Sequence, residues 1–321
     1  MTFKKTVPDI TVIVPTYCHE GYISQALDSI LDQETDLQYE VLVGDDASTD
    51  RTLSIVQEYA KRYPDIIIPL CRKENVGATK NNWDMHMRAR GKYIALLEGD
   101  DFWTDPYKLQ KQYVFLEENP EYIGCCSKCL IVDENGQPDY ERSCHIAWNK
   151  KIFTLSDFIN SWQLAGQAST RMCRNFFSEL DPTNYSIYYK AHRGVGDKTM
   201  MLFLLSRGSV YCSNEVLSAY RFVDKKDDSN WFSLHHANPY RNYDMFMYPC
   251  NLESWARKNM KLPRNVHFGE RNPYRFARFV EECVKKPERK RFQYLCKMII
   301  HSRQPLKYSW YVLKALIEME N

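Results

Sequence analysis

The sequence predicts a doubly wound α/β fold, and two observations in its first third carry that prediction. Between Ile10 and Leu97, short β-branched runs alternate with longer segments of helical period, which is the pattern of parallel strands joined by crossover helices. Pro64 and Gly91 end two of the helical segments, as helix-breaking residues do. We therefore expect a Rossmann-like, mostly parallel sheet flanked by helices.

Four strand runs stand in order along this part of the chain. They are ITVIVP, YEVLVG, IIIPLC and YIALLEG, at residues 10–15, 39–44, 66–71 and 93–99. The first helical segment has an apolar face made of Ile23, Ala26, Leu27, Ile30 and Leu31, which is typical of a helix packed on a sheet. Further helices are predicted at 53–63, with Ser48 and Thr49 as caps, and at about 78–90.

Composition limits the function classes. The chain has 321 residues, 44% of them hydrophobic, enough for a substantial core. Its 43 Lys and Arg against 41 Asp and Glu give a net charge of +2, so no nucleic-acid partner is expected. The eleven cysteines are odd in number and no secretory signal is evident, which indicates reduced thiols in a cytoplasm. No run approaches the ~18 apolar residues that span a bilayer, so membrane contact would be peripheral.

One cysteine cluster has zinc binding as an alternative interpretation. Cys125, Cys126 and Cys129, followed by Cys144 and His145, are residue types that ligate zinc. A second CxxC pair is missing, and the run IGCCSKCLIVDENG is more typical of a half-buried strand that ends in a turn. The strand interpretation is favoured.

The residues that follow the predicted strands are the candidate binding residues. The carboxyl ends of parallel strands meet at one edge of a sheet, and ligands bind there. The set is Thr16, Tyr17, Asp45, Asp46, Asn75, Asp100 and Asp101, with Glu98 next to the last pair. We expect these side chains to share one crevice, and the charge of that crevice is acidic.

The chemistry of this crevice points to a divalent ion. PTYCHEGY follows the first strand, and it contains neither G-x-G-x-x-G nor a P-loop, which excludes phosphate binding by a glycine cradle. Mg²⁺ or Mn²⁺ offers another route, because it bridges carboxylates to phosphate oxygens. The alternative is that Glu98, Asp100 and Asp101 only start a solvated turn. Two acidic pairs at two strand ends favour a metal and nucleotide site.

Three segments resemble family 2 glycosyltransferases, the GT-A type enzymes that move a sugar from a nucleotide diphosphate donor. They are VIVPTYCHEGYISQALDSIL, VLVGDDASTDRT and YIALLEGDDFWTDPYKLQKQ, and the last is similar to the family's D-x-D region. Similarity is dense from about Asp9 to Gly136 and returns from Gly194 to Arg221. The resemblance implies a glycosyltransferase domain at 1–225, with a nucleotide half at about 1–110 and an acceptor half at about 111–225, and a helical C-terminal extension at 226–321.

On the nucleotide side, the resemblance implies a role for each crevice residue. Thr16 and Tyr17 would border the nucleoside of a nucleotide-sugar donor, for which UDP is the expected carrier, and Asp45 or Asp46 would bind the base or ribose. Asn75 would line the diphosphate side, together with Lys80 and Asn81 in the segment that follows it.

On the metal side, Asp100 would hold the donor ribose and the Mn²⁺ or Mg²⁺ ion. Either Glu98 or Asp101 would share the ion, and Glu98 stands where the family more usually has Asp. Family members often have a His after a Tyr-Arg pair, whereas Tyr220-Arg221 runs into Phe222-Val223 here. His192, His235 and His236 are the candidate substitutes.

The resemblance also implies a catalytic base. In this family it is the Asp of a Glu-Asp pair at the start of a helix, and GVGD places Asp197 there, with Gly196 in place of the Glu. The reaction would be an inverting displacement in which Asp197 takes the acceptor proton. The alternative is that Asp197 only caps the apolar helix after it. Trp103, Trp162 and His192 are candidate acceptor contacts, although a Trp is more often part of a core.

Two other function classes are alternatives to this one. A nucleotidyltransferase usually has a Gly-rich basic loop near its N-terminus, and none is present. A catalytically silent nucleotide-sugar binding module would lack a base. Neither a Q-x-x-R-W segment nor a membrane-spanning run is found, so we expect addition of one sugar to a glycan or lipid-linked glycan acceptor of a bacterial surface polymer.

The last part of the chain has a basic and aromatic pattern. Residues 285–314 contain nine Lys or Arg against one Glu, interleaved with Phe292, Tyr294, Ile299, Tyr308 and Trp310. This pattern predicts either a helical cap with a solvated face or a peripheral contact with anionic lipid on the inner membrane surface.

Overall fold

A mixed β-sheet with helices on both faces forms the centre of the molecule. The computed structural model describes residues 7–140, 142, 150–192, 194–223, 238–269, 273–302 and 304–317. Within these residues the sheet has nine strands, in the order β3-β2-β1-β4-β8-β6-β9-β5, with β7 paired to β9. The strands are β1 Ile10–Thr16, β2 Tyr39–Asp45, β3 Ile67–Cys71, β4 Tyr93–Leu96, β5 Phe102–Trp103, β6 Tyr122–Val132, β7 Ile152–Phe153, β8 Met172–Arg174 and β9 Ser209–Arg221.

The helices of the described residues fall into three groups along the chain. The first group alternates with the parallel strands: α1 Ile23–Leu31, α2 Thr52–Arg62, α3 Ala78–His86 and α4 Lys108–Glu118. The second lies between β7 and β9: α5 Leu155–Ser161, α6 Pro182–Tyr185, α7 Ile187–Lys190 and α8 Asp197–Leu205. The third is C-terminal: α9 Arg241–Asn259, α10 Pro273–Lys285, α11 Arg289–His301 and α12 Pro305–Ile317.

The parallel half of the sheet confirms the predicted fold class. Strands β3, β2, β1 and β4 pair in parallel, and Thr16 at the end of β1 is in register with Asp45 at the end of β2. Strand β8 then pairs antiparallel with both β4 and β6, while β6 and β9 are parallel. The carboxyl ends of β1, β2 and β4 therefore lie side by side at one edge.

The alternation of side chains along β1 explains the two cores. Ile10, Val12 and Val14 pack with α1 and α2 on one face, whereas Ile13 packs on the opposite face with α3 and α8. Successive strand residues point to opposite faces of a sheet, so a strand covered on both sides is apolar along most of its length.

The third helix group has an apolar cluster of its own and a connection to the sheet. Phe246 and Met247 of α9 pack with Phe276, Phe279 and other residues of the helices that follow. The opposite side of α9, which includes Tyr248 and Leu252, packs into the core beneath α8. Helix α9 thus anchors the C-terminal helices to the rest of the molecule.

Candidate active site

The loops after β1 and β4 touch at the carboxyl edge of the sheet. Gly99 donates its backbone N–H to the carbonyl oxygen of Pro15 at 3.0 Å. A Cβ atom at Gly99 would lie 2.7 Å from Thr16 Oγ1 and 3.0 Å from His19 Nδ1. Only glycine permits this approach, so the glycine of the E-G-D-D run brings the acidic turn against the first loop.

The loops after β1 and β2 are joined by hydroxyl side chains, one of which the sequence suggested as a helix cap. Ser48 Oγ accepts a hydrogen bond from the Cys18 backbone at 2.9 Å, and Thr52 Oγ1 accepts one from His19 at 2.7 Å. The prediction that Ser48 and Thr49 cap α2 is wrong, since that helix begins at Thr52 with Arg51 before it. Cys18 and Ala47 both have positive φ values, of 54° and 61°, and strained backbone of this kind clusters at ligand sites.

Asp101 is the structural member of the acidic turn. It is 1% exposed, and its carboxylate accepts hydrogen bonds from Gln167 Nε2 at 2.9 Å, Ser169 Oγ at 2.6 Å and the Arg221 backbone N–H at 2.9 Å. Burial and the neighbouring charge of Asp100 raise the pKa of Asp101 to about 8, although these hydrogen bonds act in the opposite direction. Asp101 therefore ties the acidic turn to the end of β9.

Glu98 and Asp100 are the members of the turn that face the crevice. Both side chains are half-buried, and Glu98 accepts a single long hydrogen bond, from Gln167 at 3.3 Å. Burial raises the pKa of Glu98 well above its ordinary value, and the charges of Asp101, Asp197 and Asp100 raise it further. Asp100 Oδ2 lies 3.8 Å from His19 Nε2. A cation in this crevice would relieve the mutual repulsion of these carboxylates.

The described residues do not include a preformed metal cage. No group of three His, Cys, Asp or Glu side chains in the described ranges is arranged to hold an ion without another ligand. The donor set nonetheless suits a hard divalent cation, because Glu98 and Asp100 offer carboxylate oxygens that are not committed to the fold. With two carboxylates from the protein, the remaining ligands would come from phosphate oxygens and water, which is how proteins usually hold Mg²⁺.

The two aspartates after β2, Asp45 and Asp46, differ in their hydrogen bonding, as do the carboxylates of the acidic turn. Asp46 accepts hydrogen bonds from the backbone N–H groups of Val76 and Gly77, both at 2.9 Å, so it holds the loop after β3. Asp45 accepts one bond, from Ser48 at 3.2 Å, and its other oxygen is buried with no partner among the described residues. Of the two, Asp45 has an acceptor oxygen that no described residue uses.

Three other predicted nucleotide contacts lie around this pair. Tyr17 is half-buried, and Asn75, which forms a side-chain hydrogen bond with it, is exposed. Burial raises the pKa of the Tyr17 hydroxyl, and Asp46 adds to that shift. Thr16 is buried, and its Oγ1 has no hydrogen-bond partner in the described residues. The structure thus gathers all three at the mouth of the crevice.

The prediction for Lys80 and Asn81 needs correction. Asn81 is buried, its Nδ2 donates to the Gly44 carbonyl oxygen at 2.6 Å, and its Oδ1 accepts from Arg72 at 2.8 Å. Lys80 pairs with Asp84 one helical turn away. Asn81 holds α3 against β2, and the Lys80 ammonium is paired within α3 itself, so the polar groups of both side chains already have partners in this structure. Arg72, which no sequence pattern indicated, also lies 3.8 Å from Asp46.

Asp197 is half-buried, and its charge acts on Glu98 of the acidic turn. It is the first residue of α8, and Gly196 occupies the cap position, which contradicts the capping interpretation. In the described part of the chain we find no hydrogen bond to the Asp197 carboxylate. Burial raises its pKa, while the charges of Arg171 and Lys198 lower it. The Asp197 charge also raises the pKa of Glu98, so the two carboxylates are near enough to interact.

The three candidate acceptor contacts are placed differently from one another. Trp103 is 4% exposed, its Nε1 donates to the Ser169 carbonyl oxygen, and the Lys108 ammonium lies 4.4 Å from its ring centroid. Trp103 is a core residue, and its assignment as a stacking platform is wrong. Trp162 is half-buried, stacks on Phe268 with ring centroids 5.9 Å apart, and accepts a hydrogen bond from Lys198.

The prediction that His192 contacts the acceptor also needs correction. It is buried, and its Nδ1 accepts hydrogen bonds from the backbone N–H groups of Gly194 and Val195, both at 3.1 Å. Burial lowers its pKa, which keeps the ring neutral and able to accept these bonds. His192 therefore shapes the loop that leads to Asp197 through its Nδ1, while its Nε2 is buried and has no hydrogen-bond partner among the described residues. His235 and His236 lie outside the described residues.

The zinc alternative finds no support in the described residues. Cys125, Cys126 and Cys129 are buried on β6 and form no disulfide. Burial raises the pKa of Cys125 and Cys126, which disfavours the thiolate that zinc requires. Cys144 and His145 lie outside the described part.

Four further residues near the acids were not found from the sequence: Gln167, Ser169, Arg171 and Tyr188. The first two bind Asp101 as described above. Arg171 is buried, and its charge acts on both Glu98 and Asp197. A signal for Arg171 is present in the run STRMCR, where a charged residue directly precedes a short apolar strand and has no neighbouring acid in sequence.

Comparisons with known proteins identify the family. The family model for glycosyl transferase family 2 matches residues 11–178. A putative teichuronic acid biosynthesis glycosyltransferase of Bacillus subtilis, TuaG, is 30% identical over 224 residues, 70% of this chain and 82% of that protein. An uncharacterised protein of Mycobacterium tuberculosis is 43% identical over 132 residues, which are 41% of this chain and only 38% of that protein. The chain belongs to glycosyl transferase family 2.

Solved structures show the same fold. The Staphylococcus aureus protein TarS, residues 1–349 in complex with UDP-GlcNAc, has a TM-score of 0.56 and 18% sequence identity, over 91% of this chain and 79% of the TarS chain. The complex of TarS with UDP has a TM-score of 0.54. The chain therefore has the GT-A fold, with a mostly parallel central sheet flanked by helices. In the described residues, no helix is both long and apolar enough to cross a membrane.

Proposed function

We propose that this chain is an inverting, metal-dependent glycosyltransferase that moves one sugar from a UDP-sugar to a hydroxyl group of a surface glycan or lipid-linked glycan. The observation that carries the proposal is the placement of three carboxylates: Glu98 and Asp100 follow β4 at the carboxyl edge of the sheet, and Asp197 begins α8, near enough for its charge to raise the pKa of Glu98. A nucleotide-binding module needs only the first two of these carboxylates. A transferase also needs a base on the far side of the donor sugar.

The residues of the donor half of the site have separate roles. Asp45 offers its free oxygen to the nucleoside, and Tyr17 borders it. Asp100 and Glu98 would hold a divalent ion, which would supply positive charge to offset the charge that develops on the leaving diphosphate. Asp101 and Asp46 keep the two loops in place through the hydrogen bonds described above.

The acceptor half provides the proton transfer. The acceptor hydroxyl gives its proton to Asp197, its oxygen forms a bond to the anomeric carbon, and the bond from that carbon to the diphosphate oxygen breaks. Attack from the side opposite the leaving group inverts the anomeric centre. The raised pKa of Asp197 makes its carboxylate a stronger base than an exposed aspartate. Because no group in the described residues donates a hydrogen bond to this carboxylate, it is free to accept the proton.

The proteins similar to this chain support the choice of donor and acceptor class. TarS binds UDP and UDP-GlcNAc in its structures, which favours a UDP-sugar donor. TuaG is described as acting in teichuronic acid biosynthesis, which favours a polymer of the bacterial surface as the product.

Replacing Asp197 with Asn tests the catalytic assignment. Asp197→Asn preserves size and removes the base, so we expect UDP and metal binding to persist while the transfer rate falls by about 10² to 10⁴. The measurement is transfer across a panel of UDP-sugars with Mg²⁺, with Mn²⁺ and with a chelator, and the anomeric configuration of the product is read by NMR.

A matched control is Asp181→Asn, because Asp181 is also at the start of a helix. Its Oδ1 accepts a hydrogen bond from the Thr183 backbone N–H at 3.0 Å. We expect its transfer rate to be close to normal. A normal rate for folded Asp197→Asn, or a product with retained configuration, would overturn the proposed mechanism. Binding of UDP-sugars without any turnover would indicate the silent module.

We also propose that helices α11 and α12 contact an anionic membrane surface on the cytoplasmic side. Phe292, Ile300, Leu306 and Trp310 are 64%, 73%, 87% and 59% exposed. The exposed basic residues of the same two helices are Arg289, Lys290, Lys297, Lys307 and Lys314. In α12 the opposite face packs inward through Tyr308. Exposed aromatic and aliphatic side chains flanked by basic ones favour an interface with anionic headgroups.

Sedimentation with vesicles tests this contact. We expect the protein to bind vesicles of phosphatidylglycerol and phosphatidylcholine, and to bind pure phosphatidylcholine at least about tenfold more weakly, because each basic residue near an anionic surface adds about 1 kcal/mol. The variant Leu306→Ser with Trp310→Ser should lose binding. Ile152→Ser with Val216→Ser changes exposed apolar residues away from these helices and should keep it. Equal failure to bind both vesicle types would leave only a helical cap.

A further inference from the structure

A backbone donor in the first turn of α8 is bound by a side chain from another helix. Helix α8 begins at Asp197, and the residue before it, Gly196, has no side chain to cap the helix. The first N–H groups of a helix have no partner within it. The Thr199 N–H donates instead to the hydroxyl oxygen of Tyr248 at 3.1 Å. Tyr248 lies in α9, so one of the C-terminal helices caps α8.

The packing of Tyr248 fixes its hydroxyl group at this position. It is 2% exposed, and the centroid of its ring lies 5.3 Å from that of His192 and 6.0 Å from that of Trp162. The hydroxyl also shares a hydrogen bond with Thr199 Oγ1 at 3.0 Å. Because closely packed side chains stay in one rotamer, the Tyr248 oxygen remains the acceptor for the Thr199 N–H.

The Asp197 carboxylate is the local competitor for the same N–H group. Aspartate side chains readily accept the backbone N–H two residues further on. The structure has three such bonds close to helix starts, at 2.7 to 3.0 Å: Asp50 with Thr52, Asp105 with Tyr107 and Asp181 with Thr183. Asp197 is likewise two residues before Thr199, but in the described part of the chain its carboxylate accepts no hydrogen bond. The N–H group that it would take is already bound to Tyr248.

We propose that Tyr248 is a positioning residue for the base: its hydroxyl occupies the Thr199 N–H and thereby keeps the Asp197 carboxylate free for the acceptor hydroxyl. A backbone N–H bound to that carboxylate would stabilise its ionised form, make it a weaker base and use one of its acceptor positions. This inference rests on the proposed function. It adds to the active site a residue of the C-terminal helices, beyond residues 11–178 that the family model matches.

The variant Tyr248→Phe tests the inference without requiring turnover, because it removes one oxygen and keeps the ring. The Thr199 N–H then passes to the Asp197 carboxylate, so we expect the pKa of Asp197 to fall by about 1. NMR titration of protein labelled with ¹³C at the aspartate carboxyl carbons measures this pKa. The signal that is missing from the spectrum of Asp197→Asn identifies the Asp197 carboxyl group.

The charges that act on Asp197 are the same in the wild type and in this variant. They belong to Arg171, Lys198 and Glu98, and Tyr248→Phe removes none of them. The Asp197 charge also raises the pKa of the Tyr188 and Tyr220 hydroxyls, which are therefore neutral in the titrated range. A lower pKa of Asp197 in the variant thus reports a new hydrogen bond to its carboxylate.

Transfer kinetics measure the consequence for the reaction. In Tyr248→Phe we expect kcat to fall about 3- to 10-fold and its rise with pH to move to lower pH, because the rate follows the ionised base. The KM for the UDP-sugar and the affinity for UDP should be unchanged. The matched control is Tyr59→Phe, which removes the hydroxyl that donates to Asp28 at 2.6 Å and should change neither kcat nor the pKa of Asp197. Thermal unfolding checks that both variants are folded.

The outcomes separate this inference from the proposed function. An unchanged pKa of Asp197 in Tyr248→Phe, with or without a fall in kcat, overturns the role of Tyr248 and leaves the glycosyltransferase assignment intact. In the wild type alone, a strong downfield shift of the Thr199 amide proton as Asp197 ionises would also overturn it, since the carboxylate would then already bind this N–H. A wild type that transfers no sugar from any UDP-sugar overturns the proposed function, and the pKa comparison distinguishes this case because it needs no turnover.

Discussion

The acidic residues after β2 and those after β4 occur in similar sequence contexts. Within each of these two groups, the adjacent carboxylates have different roles. In the first group, Asp46 holds two backbone N–H groups of the next loop, and Asp45 keeps an oxygen that no described residue uses. In the second, Asp101 accepts three hydrogen bonds, and Asp100 faces the crevice. Each group thus contains one carboxylate that builds the loop and another that is available to a ligand.

The difference between adjacent carboxylates follows from elementary chemistry. A carboxylate has about four acceptor positions, and backbone N–H groups in a turn need acceptors when they are buried. An acid that satisfies them loses capacity for a ligand and gains a structural role. Adjacent aspartates in a loop should therefore not be treated as equivalent in mutagenesis.

The largest expected effect separates Asp100 from Asp101. Asp100→Asn should lower the transfer rate by at least about 10²-fold, through loss of charge stabilisation at the diphosphate, with no loss of thermal stability. Asp101→Asn should lower stability by about 2 to 4 kcal/mol, because its amide group must oppose at least one of three buried donors. Chemical denaturation and metal-dependent UDP titration measure the two effects.

Opposite behaviour would break this comparison. If Asp101→Asn is as stable as the wild type and has lost metal-dependent binding, then Asp101 is the ligand. If Asp100→Asn binds UDP with unchanged metal dependence, the metal assignment at Asp100 is wrong.

A smaller effect should separate Asp45 from Asp46. Asp46→Asn should cost about 2 to 3 kcal/mol of unfolding free energy, since two backbone N–H groups lose a charged acceptor. Asp45→Asn should leave stability nearly unchanged and weaken UDP binding about tenfold. Parallel denaturation and titration curves for both variants provide the measurement, and reversed results would assign the nucleoside contact to Asp46.

The parallel half of the fold is predictable from the sequence because the signals there are local. Strand runs, helix breakers and the edge rule are sufficient to place Thr16, Asp45 and Asp100 at one crevice. The division of labour within each pair is not predictable, because it depends on partners distant in sequence. Gln167, Ser169 and Arg221 reach Asp101 from 66, 68 and 120 residues away.

The wrong predictions have the same origin. Asn81 and Trp103 have side chains suited to ligand binding, and the sequence does not show that their polar atoms are already used by Gly44 and Ser169. His192 is likewise a plausible metal or acceptor contact by residue type, and it serves the loop before Asp197 instead. Buried hydrogen bonds compete with ligands for polar side chains. Only the three-dimensional contacts show whether a given side chain is used by the fold or is available to a ligand.

The same contrast applies to the two buried cations Arg171 and Lys108. Lys108 is fully buried beneath Trp103, donates to Gln112 Oε1 at 2.7 Å, and has its pKa lowered by burial to about 7. Unlike the Arg171 guanidinium, the Lys108 ammonium has a hydrogen-bond partner among the described residues and is 0% exposed, so a structural role alone is expected for it.

Lys108→Met should therefore stabilise the protein, and the gain should shrink as the pH rises. The folded-state pKa of about 7 lies below the unfolded value of about 10.4, so between these values the unfolded chain binds a proton that the folded chain does not. Wild-type stability consequently rises with pH across this window, whereas methionine does not titrate. We expect the advantage of Lys108→Met to be about 1 to 2 kcal/mol smaller at pH 9 than at pH 7.

Denaturation at both pH values measures this difference, and Lys111→Met is the control on the same helix. Lys111 is exposed and pairs with Asp105 and Glu215, so its substitution should change stability by less than about 1 kcal/mol, with little difference between the two pH values. A Lys108→Met variant that is less stable than the wild type at pH 7, or whose effect does not depend on pH, would show that the ammonium of Lys108 is charged and useful in the folded protein.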